Sequence, residues 1–255
     1  MGKKTMLITG AGSGIGRGLA ELASANDYRV VVTDLDESAA RRTAADIKKA
    51  GGQADAFRVD VSREADVEQM MHSLGAEPVD VLINNAGLQY VCRLEDFPQQ
   101  KWDLLVRVML NGTCVMTRAV LSGMRNSGFG RIVNMGSIHS LIASAYKSAY
   151  VAAKHGLLGF SKVIALETAE ADITINTICP SYVRTPLVDK QIANQAKEHG
   201  ISEDEVIKEI MLKPMPKKRF ISMAEVYGIV EFLVSDSARN ITGQTITVDG
   251  GWSVQ

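Results

Sequence analysis

The chain has 255 residues, 46% hydrophobic and 22% charged, with 28 Lys and Arg against 29 Asp and Glu for a formal net charge of −1. That balance is globular, and the chain is long enough to bury a core without disulfides or structural metals. It excludes the basic field that nucleic acid requires, and no run of about 18 apolar residues is present to suggest a membrane span.

In chain order, Thr5–Thr9 reads as a buried strand and Ile15–Asn26 as a helix. Arg29–Thr33 is a second strand closed by Asp34, and Glu37–Ala50 is an amphipathic helix with Asp36 or Ser38 as its cap. Ala54–Val59 predicts a third strand, with Ser62 capping a helix that runs to Leu74. Val79–Ile83 is the fourth strand, Trp102–Met124 a long helix, Arg131–Met135 the fifth strand and Ser148–Glu170 another long helix. Ile173–Ile178 and Thr245–Val248 bring the count to about seven strands.

This alternation predicts an α/β fold: a single domain over residues 1–255, doubly wound (Rossmann) around a parallel sheet with helices on both faces. Residues 185–218 break the rhythm with Pro186, Pro214, Pro216 and a helical stretch, Ser202–Met211. An insertion after a strand's carboxyl end reads as a substrate lid, although a plain surface insertion has the same composition. Cys92, Cys114 and Cys179 form no Cys-x-x-Cys pair, and His72, His139, His155 and His199 have no metal-ligand spacing. A reduced, cytoplasmic protein without a metal site is the expectation. The charged start, Met1–Lys4, is followed by no apolar signal core.

The first strand runs into Thr9-Gly10-Ala11-Gly12-Ser13-Gly14-Ile15-Gly16 and then a helix. Glycine there permits a tight turn and close approach of backbone to a pyrophosphate, which the helix N-terminus attracts. Asp34 at the end of the second strand suits the ribose hydroxyls of NAD and repels the extra phosphate of NADP; it can equally cap the next turn. Asp60-Val61, after the third strand, is placed to read an adenine edge. Asn84-Asn85-Ala86-Gly87 ends the fourth strand, with Gly87 leaving room for a cofactor.

Tyr150 and Lys154, spaced i, i+4, share a helix face, and Ser137 follows the fifth strand at the sheet edge where such folds bind ligands. A nearby ammonium lowers a phenol's pKa toward a useful range, and a hydroxyl can hold a substrate oxygen. A Tyr and a Lys four apart are otherwise an ordinary helix-surface pair. Lys147 lies one turn before Tyr150, His139 two residues after Ser137, and Gln89 two after Gly87. Together they suit a small carboxylate, though each has a plain alternative as surface Lys, capped His or loop Gln.

These motifs, with Asn176, Pro180 and Asp249-Gly250-Gly251, resemble the short-chain dehydrogenase/reductase family from end to end. The resemblance implies that Tyr150 is the general acid/base, that Lys154 also binds the nicotinamide ribose and that Ser137 orients the carbonyl. It implies cofactor contacts at Gly10, Ser13, Gly14, Ile15, Gly16, Asp34, Asp60, Val61, Asn85, Ala86, Gly87, Tyr150, Lys154, Pro180 and Val183. Within the family, the stretches 84–91, 144–159, 185–192 and 249–252 are similar to members that oxidise a small 3-hydroxy acid. This similarity implies NAD-linked conversion of (R)-3-hydroxybutyrate to acetoacetate. It places Gln89, Ser137, His139, Lys147, Tyr150 and Gln191 around the substrate, Trp252 near its pocket, and the chain in a homotetramer. The alternatives are another small hydroxy acid or alcohol, reduction of a 3-oxoacyl thioester, or an impaired NAD-binding protein.

Two departures from the family pattern stand out. Ser181 replaces the usual Gly after Pro180, and Met109 occupies the place of the family's catalytic Asn. Asn111 is two positions on, about 200° around a regular helix, so only a local distortion such as a π-bulge would bring it toward the site.

Overall fold

The computed structural model describes residues 2–75 and 77–254. Seven parallel strands form one sheet in the order β3-β2-β1-β4-β5-β6-β7. They are β1 Thr5–Thr9, β2 Arg29–Asp34, β3 Gln53–Arg58, β4 Val81–Asn84, β5 Gly130–Met135, β6 Ile173–Pro180 and β7 Thr245–Val248. The helices are α1 Gly14–Ala25, α2 Glu37–Lys49, α3 Glu64–Leu74, α4 Gln99–Val106, α5 Gly112–Ser127, α6 Ser148–Glu167, α7 Pro186–His199, α8 Glu203–Glu205 and α9 Met223–Val234. The doubly wound single-domain fold expected from the sequence is the one observed.

Burial on both faces explains why the central strands read as unbroken apolar runs. Leu7, Ile8, Val31, Val32, Leu82 and Ile83 are fully buried. One cluster lies against α1 and α9, where Leu19, Ala20, Ala23, Val226, Val230 and Leu233 meet Met6, Ile8 and Val32. The other lies against α3 and α5, where Val67, Met70, Met116 and Val120 meet Leu7, Val31 and Leu82. β1 is flanked by β2 on one side and β4 on the other. The order reverses between them, so the loops after β1 and β4 open a crevice at the sheet's carboxyl edge.

Three expectations are corrected. Ser62 does not cap α3: the Asp60 carboxylate accepts both its N–H (3.0 Å) and its hydroxyl (2.7 Å), and the helix begins at Glu64 behind Arg63. The long central helix starts at Gln99 and carries a π turn at Arg107–Asn111. The continuous helical run Gln99–Ser127, 29 residues, does meet the length and hydropathy test for a membrane span. Here its apolar side packs against β4, β5, α3 and α6. The cap of α2 is Asp36, which accepts the N–H groups of Ser38 and Ala39. In the 185–218 insertion the expected helical stretch Ser202–Met211 is α8 continued by a π turn, Val206–Met211, and α7 is an additional helix that the sequence reading did not include; Thr185 caps it and Pro186 occupies its first turn.

Candidate active site

The turn after β1 is built around two close approaches. Gly10 has φ +62°, and its missing Cβ would lie 2.9 Å from Ala86 Cα. Asn85 Nδ2 donates to the carbonyls of Thr9 (2.9 Å) and Gly10 (3.2 Å), and Thr9 Oγ1 accepts the N–H groups of Asn85 and Ala86. The first and fourth strand-end loops are thus tied together. Thr9 was not singled out from the sequence, although it opens the glycine motif.

Ser13 is the N-cap of α1, yet its side chain makes no capping hydrogen bond. The first N–H groups of α1, at Gly14, Ile15 and Gly16, therefore keep their donors for an outside acceptor. Nothing lies within 4 Å of a Cβ placed on Gly14, so the approach is open. Asp34 is held by two backbone donors, Gly12 N–H at 2.9 Å and Asp36 N–H at 3.0 Å. The nearby cations are engaged elsewhere: Arg17 with Glu21 and Asp46, Arg41 with Glu37. These features fit a dinucleotide with its pyrophosphate at α1 and its ribose at Asp34. Asp60 is partly committed to Ser62, and Val61 is buried against Gly112 of α5. Pro180 closes β6, and buried Val183 pairs with Ile221 just beyond it.

The catalytic candidates converge from β5 and α6. Ser137 caps the short turn Ile138–Ser140 in a capping box with Ser140. Tyr150 and Lys154 stand one turn apart on α6, with Lys154 Nζ 5.7 Å from the Tyr150 ring centroid. Burial pushes the Tyr150 phenol up, a hydrogen bond to Ser137 pulls it back down, and Cys179 adds a smaller upward push. Lys154 Nζ, also buried, donates one of its N–H groups to Met135 O at 2.5 Å. Burial brings the Lys154 ammonium down to about 8, with Cys179 acting weakly the other way.

His139 is also buried. Burial lowers its pKa to about 4, helped by Lys147 and His155, so the ring is neutral near pH 7. It packs edge-on against Tyr150 (6.1 Å) and Trp252 (6.0 Å), while Trp252 stacks on Tyr182 at 5.9 Å. Asp249 accepts the N–H groups of Gly251 and Ser253 and so folds the C-terminal segment back over this group. Lys147, half-buried at the start of α6, has its ammonium pushed down by burial.

The structure therefore brings Ser137, His139, Lys147, Tyr150, Lys154 and Trp252 together. Gln89 and Gln191 are exposed, on the loop after β4 and on α7, and no hydrogen bond joins either to the group among the described residues.

The π turn does not bring Asn111 in. Asn111 is exposed, whereas Met109 is buried with Leu105, Ala149 and Ala153 beside Tyr150. A Cβ on Gly87 would lie 3.7 Å from Met109 Sδ. The Met109 carbonyl accepts the Thr113 hydroxyl at 2.9 Å.

The family model described as enoyl-(acyl carrier protein) reductase matches residues 10–253. D-beta-hydroxybutyrate dehydrogenases of Rhizobium meliloti (strain 1021) and Cupriavidus necator are each 41% identical to this chain, over 99% of it and 99% and 98% of their own lengths. The crystal structure of a variant actinorhodin polyketide ketoreductase with NADPH superposes with a TM-score of 0.93 at 31% identity, covering 100% of both chains. With the glycine turn, the tied strand-end loops and the Ser137, Tyr150 and Lys154 cluster, these matches make the chain a member of the short-chain dehydrogenase/reductase family, an oxidoreductase.

Proposed function

We propose that the protein oxidises (R)-3-hydroxybutyrate to acetoacetate with NAD. The observation that carries this reading is the cationic Lys147 near enough to act on the neutral His139, whose ring packs against Tyr150 and against Trp252, itself stacked on Tyr182. A small carboxylate with a hydroxyl on its third carbon matches that array, with the carboxylate toward Lys147 and the hydroxyl toward Ser137 and Tyr150. The similarity to the two hydroxybutyrate dehydrogenases supports the same substrate.

When bound, NAD supplies the hydride acceptor, held by the N-terminus of α1, Asp34 and Lys154. Tyr150 takes the hydroxyl proton, Ser137 holds the substrate oxygen, and the neutral His139 ring lines the site beside them. We read residues 185–218 as the lid that excludes water, and the assembly as a homotetramer.

The test is turnover with NAD and with NADP across a panel of 3-hydroxybutyrate, longer 3-hydroxy acids, polyols and, in reverse, a 3-oxoacyl thioester. The structural likeness to a ketoreductase holding NADPH makes the thioester the main rival. Preference for that substrate with NADPH would overturn the reading.

Two outcomes are expected of variants. Lys147→Ala should raise KM for 3-hydroxybutyrate by the roughly 2–5 kcal/mol that truncating one side of a desolvated charge pair costs, with the NAD Kd unchanged; a loss of NAD affinity alone would place Lys147 elsewhere. Asp34→Ala should narrow the NAD-over-NADP ratio of kcat/KM, because it removes both the ribose acceptor and the repulsion of a 2′-phosphate. An unchanged ratio would mean that another residue sets the choice.

A further inference from the structure

Both ring nitrogens of His139 have hydroxyl partners. Nδ1 lies 3.4 Å from Ser137 Oγ, and Nε2 lies 2.7 Å from Ser144 Oγ. Ser137 is also close enough to the Tyr150 hydroxyl to hold its pKa down. Ser137 and His139 are buried, whereas Ser144 is only half-buried. Tyr150, Ser137, His139 and Ser144 therefore form a continuous line of proton-carrying groups from the reacting phenol to the rim of the site. The 3.4 Å step is long, as such contacts often are before substrate tightens them.

The Lys154 side departs from the family pattern at Met109. Lys154 Nζ gives one of its three N–H groups to Met135 O, the Met109 thioether is buried beside Tyr150 where the family pattern has Asn, and the Met109 carbonyl accepts the Thr113 hydroxyl. A thioether donates no hydrogen bond and accepts only weakly.

We propose that the proton released on alcohol oxidation leaves Tyr150 through Ser137 and His139, and that Ser144 delivers it to solvent. This rests on the dehydrogenase reading above. The substrate O–H bond breaks and its proton goes to the Tyr150 oxygen. In the same movement Tyr150 passes its own hydroxyl proton to Ser137 Oγ, and Ser137 passes its own to His139 Nδ1. Nε2 releases its proton to Ser144, whose hydroxyl proton goes to water. One proton has left the alcohol and one has reached solvent; the hydride goes to NAD. When product leaves and water refills the cleft, Nδ1 gives its proton to that water and Nε2 is reprotonated through Ser144. A neutral imidazole, with one N–H and one bare nitrogen, is the state this requires, and burial keeps His139 in it.

The test compares Ser144→Ala and Ser144→Thr with the parent in dilute and concentrated imidazole buffer, in H2O and D2O. Ser144→Ala should lower kcat by at least about tenfold in dilute buffer, less than the 10²–10⁴ at stake in losing the acid itself. It should raise the solvent isotope effect on kcat, leave KM nearly unchanged and recover as imidazole is added. Ser144→Thr should behave like the parent. Parental kcat and isotope effect in Ser144→Ala would overturn the proposal, as would a loss that buffer does not relieve. A gain in kcat with a smaller isotope effect in Met109→Asn would also overturn it, by showing the proton leaving past Lys154.

A separate readout needs no turnover. In ¹⁵N-labelled enzyme, exchange of the His139 Nε2 proton with solvent should slow in Ser144→Ala and not in Ser144→Thr; equal rates would sink the relay. Failure of the substrate reading shows instead as a parent inactive on the hydroxy-acid panel with normal Nε2 exchange.

Discussion

Tyr150→Phe should keep the fold and NAD affinity while losing about 10²–10⁴ in kcat. The ring lies beside Met109, Ala149 and Ala153, and phenylalanine fills the same volume. What disappears is one hydroxyl, and with it the effect of Ser137 on the phenol and the atom proposed to take the substrate proton. The measurement is kcat beside NAD Kd by fluorescence titration and a circular dichroism spectrum. Turnover within a few-fold of the parent, in a folded variant that binds NAD, would move the acid/base role to another group.

Gly16→Ala should abolish cofactor binding and destabilise the protein. Its Cβ would sit 2.3 Å from Gly10 O and 2.5 Å from Asn85 Nδ2. Neither neighbour can step aside. Gly10 O is backbone in a positive-φ turn, and Asn85 Nδ2 is held by two carbonyls. Overpacking of this kind costs roughly 1–3 kcal/mol, read as a drop in Tm of a few degrees per kcal/mol for a domain of this size. Gly123→Ala in α5 is the control. Nothing lies within 4 Å of its Cβ, and alanine is the better helix former, so Tm should hold or rise. If Gly16→Ala melts like the parent and still binds NAD, the two loops are not locked as described.

The sheet was legible because strands buried on both faces must be apolar throughout, and Met6–Ile8, Val30–Val32 and Val81–Ile83 are. The glycine turn, Asp34 and the Ser137, Tyr150 and Lys154 set were legible because each sits at a strand end or on one helix face. Other features depend on contacts that spacing does not encode. The start of α3 moved because the Asp60 side chain outcompetes Ser62 for the role of local acceptor. The polar surface of α7 hid a capped helix in a part of the insertion ahead of Ser202–Met211, the stretch read as helical. The π turn, raised from the sequence only as a possible distortion, sets Met109 and Leu110 close to Gly87 and Gly156, which are remote in sequence. Ser144 carried no signal, because its significance comes from the His139 ring turning toward it.

The place of β1 between β2 and β4 has a consequence for how the chain comes off the ribosome. β2 emerges soon after β1, but β4 and its Asn85 follow only after β2, α2, β3 and α3 have been made. Until then the nascent β1 edge at Met6–Ile8 is a bare, wholly apolar template for any passing strand. Closing that long loop also carries an entropy cost that must be met before the β1–β4 contacts form. The cofactor turn, which needs Asn85 to hold Thr9 and Gly10, therefore cannot form on a half-made chain. A fragment ending after α3 should be aggregation-prone and unable to bind nucleotide, and slowing synthesis between residues 60 and 80 would prolong the dependence of the nascent chain on a chaperone.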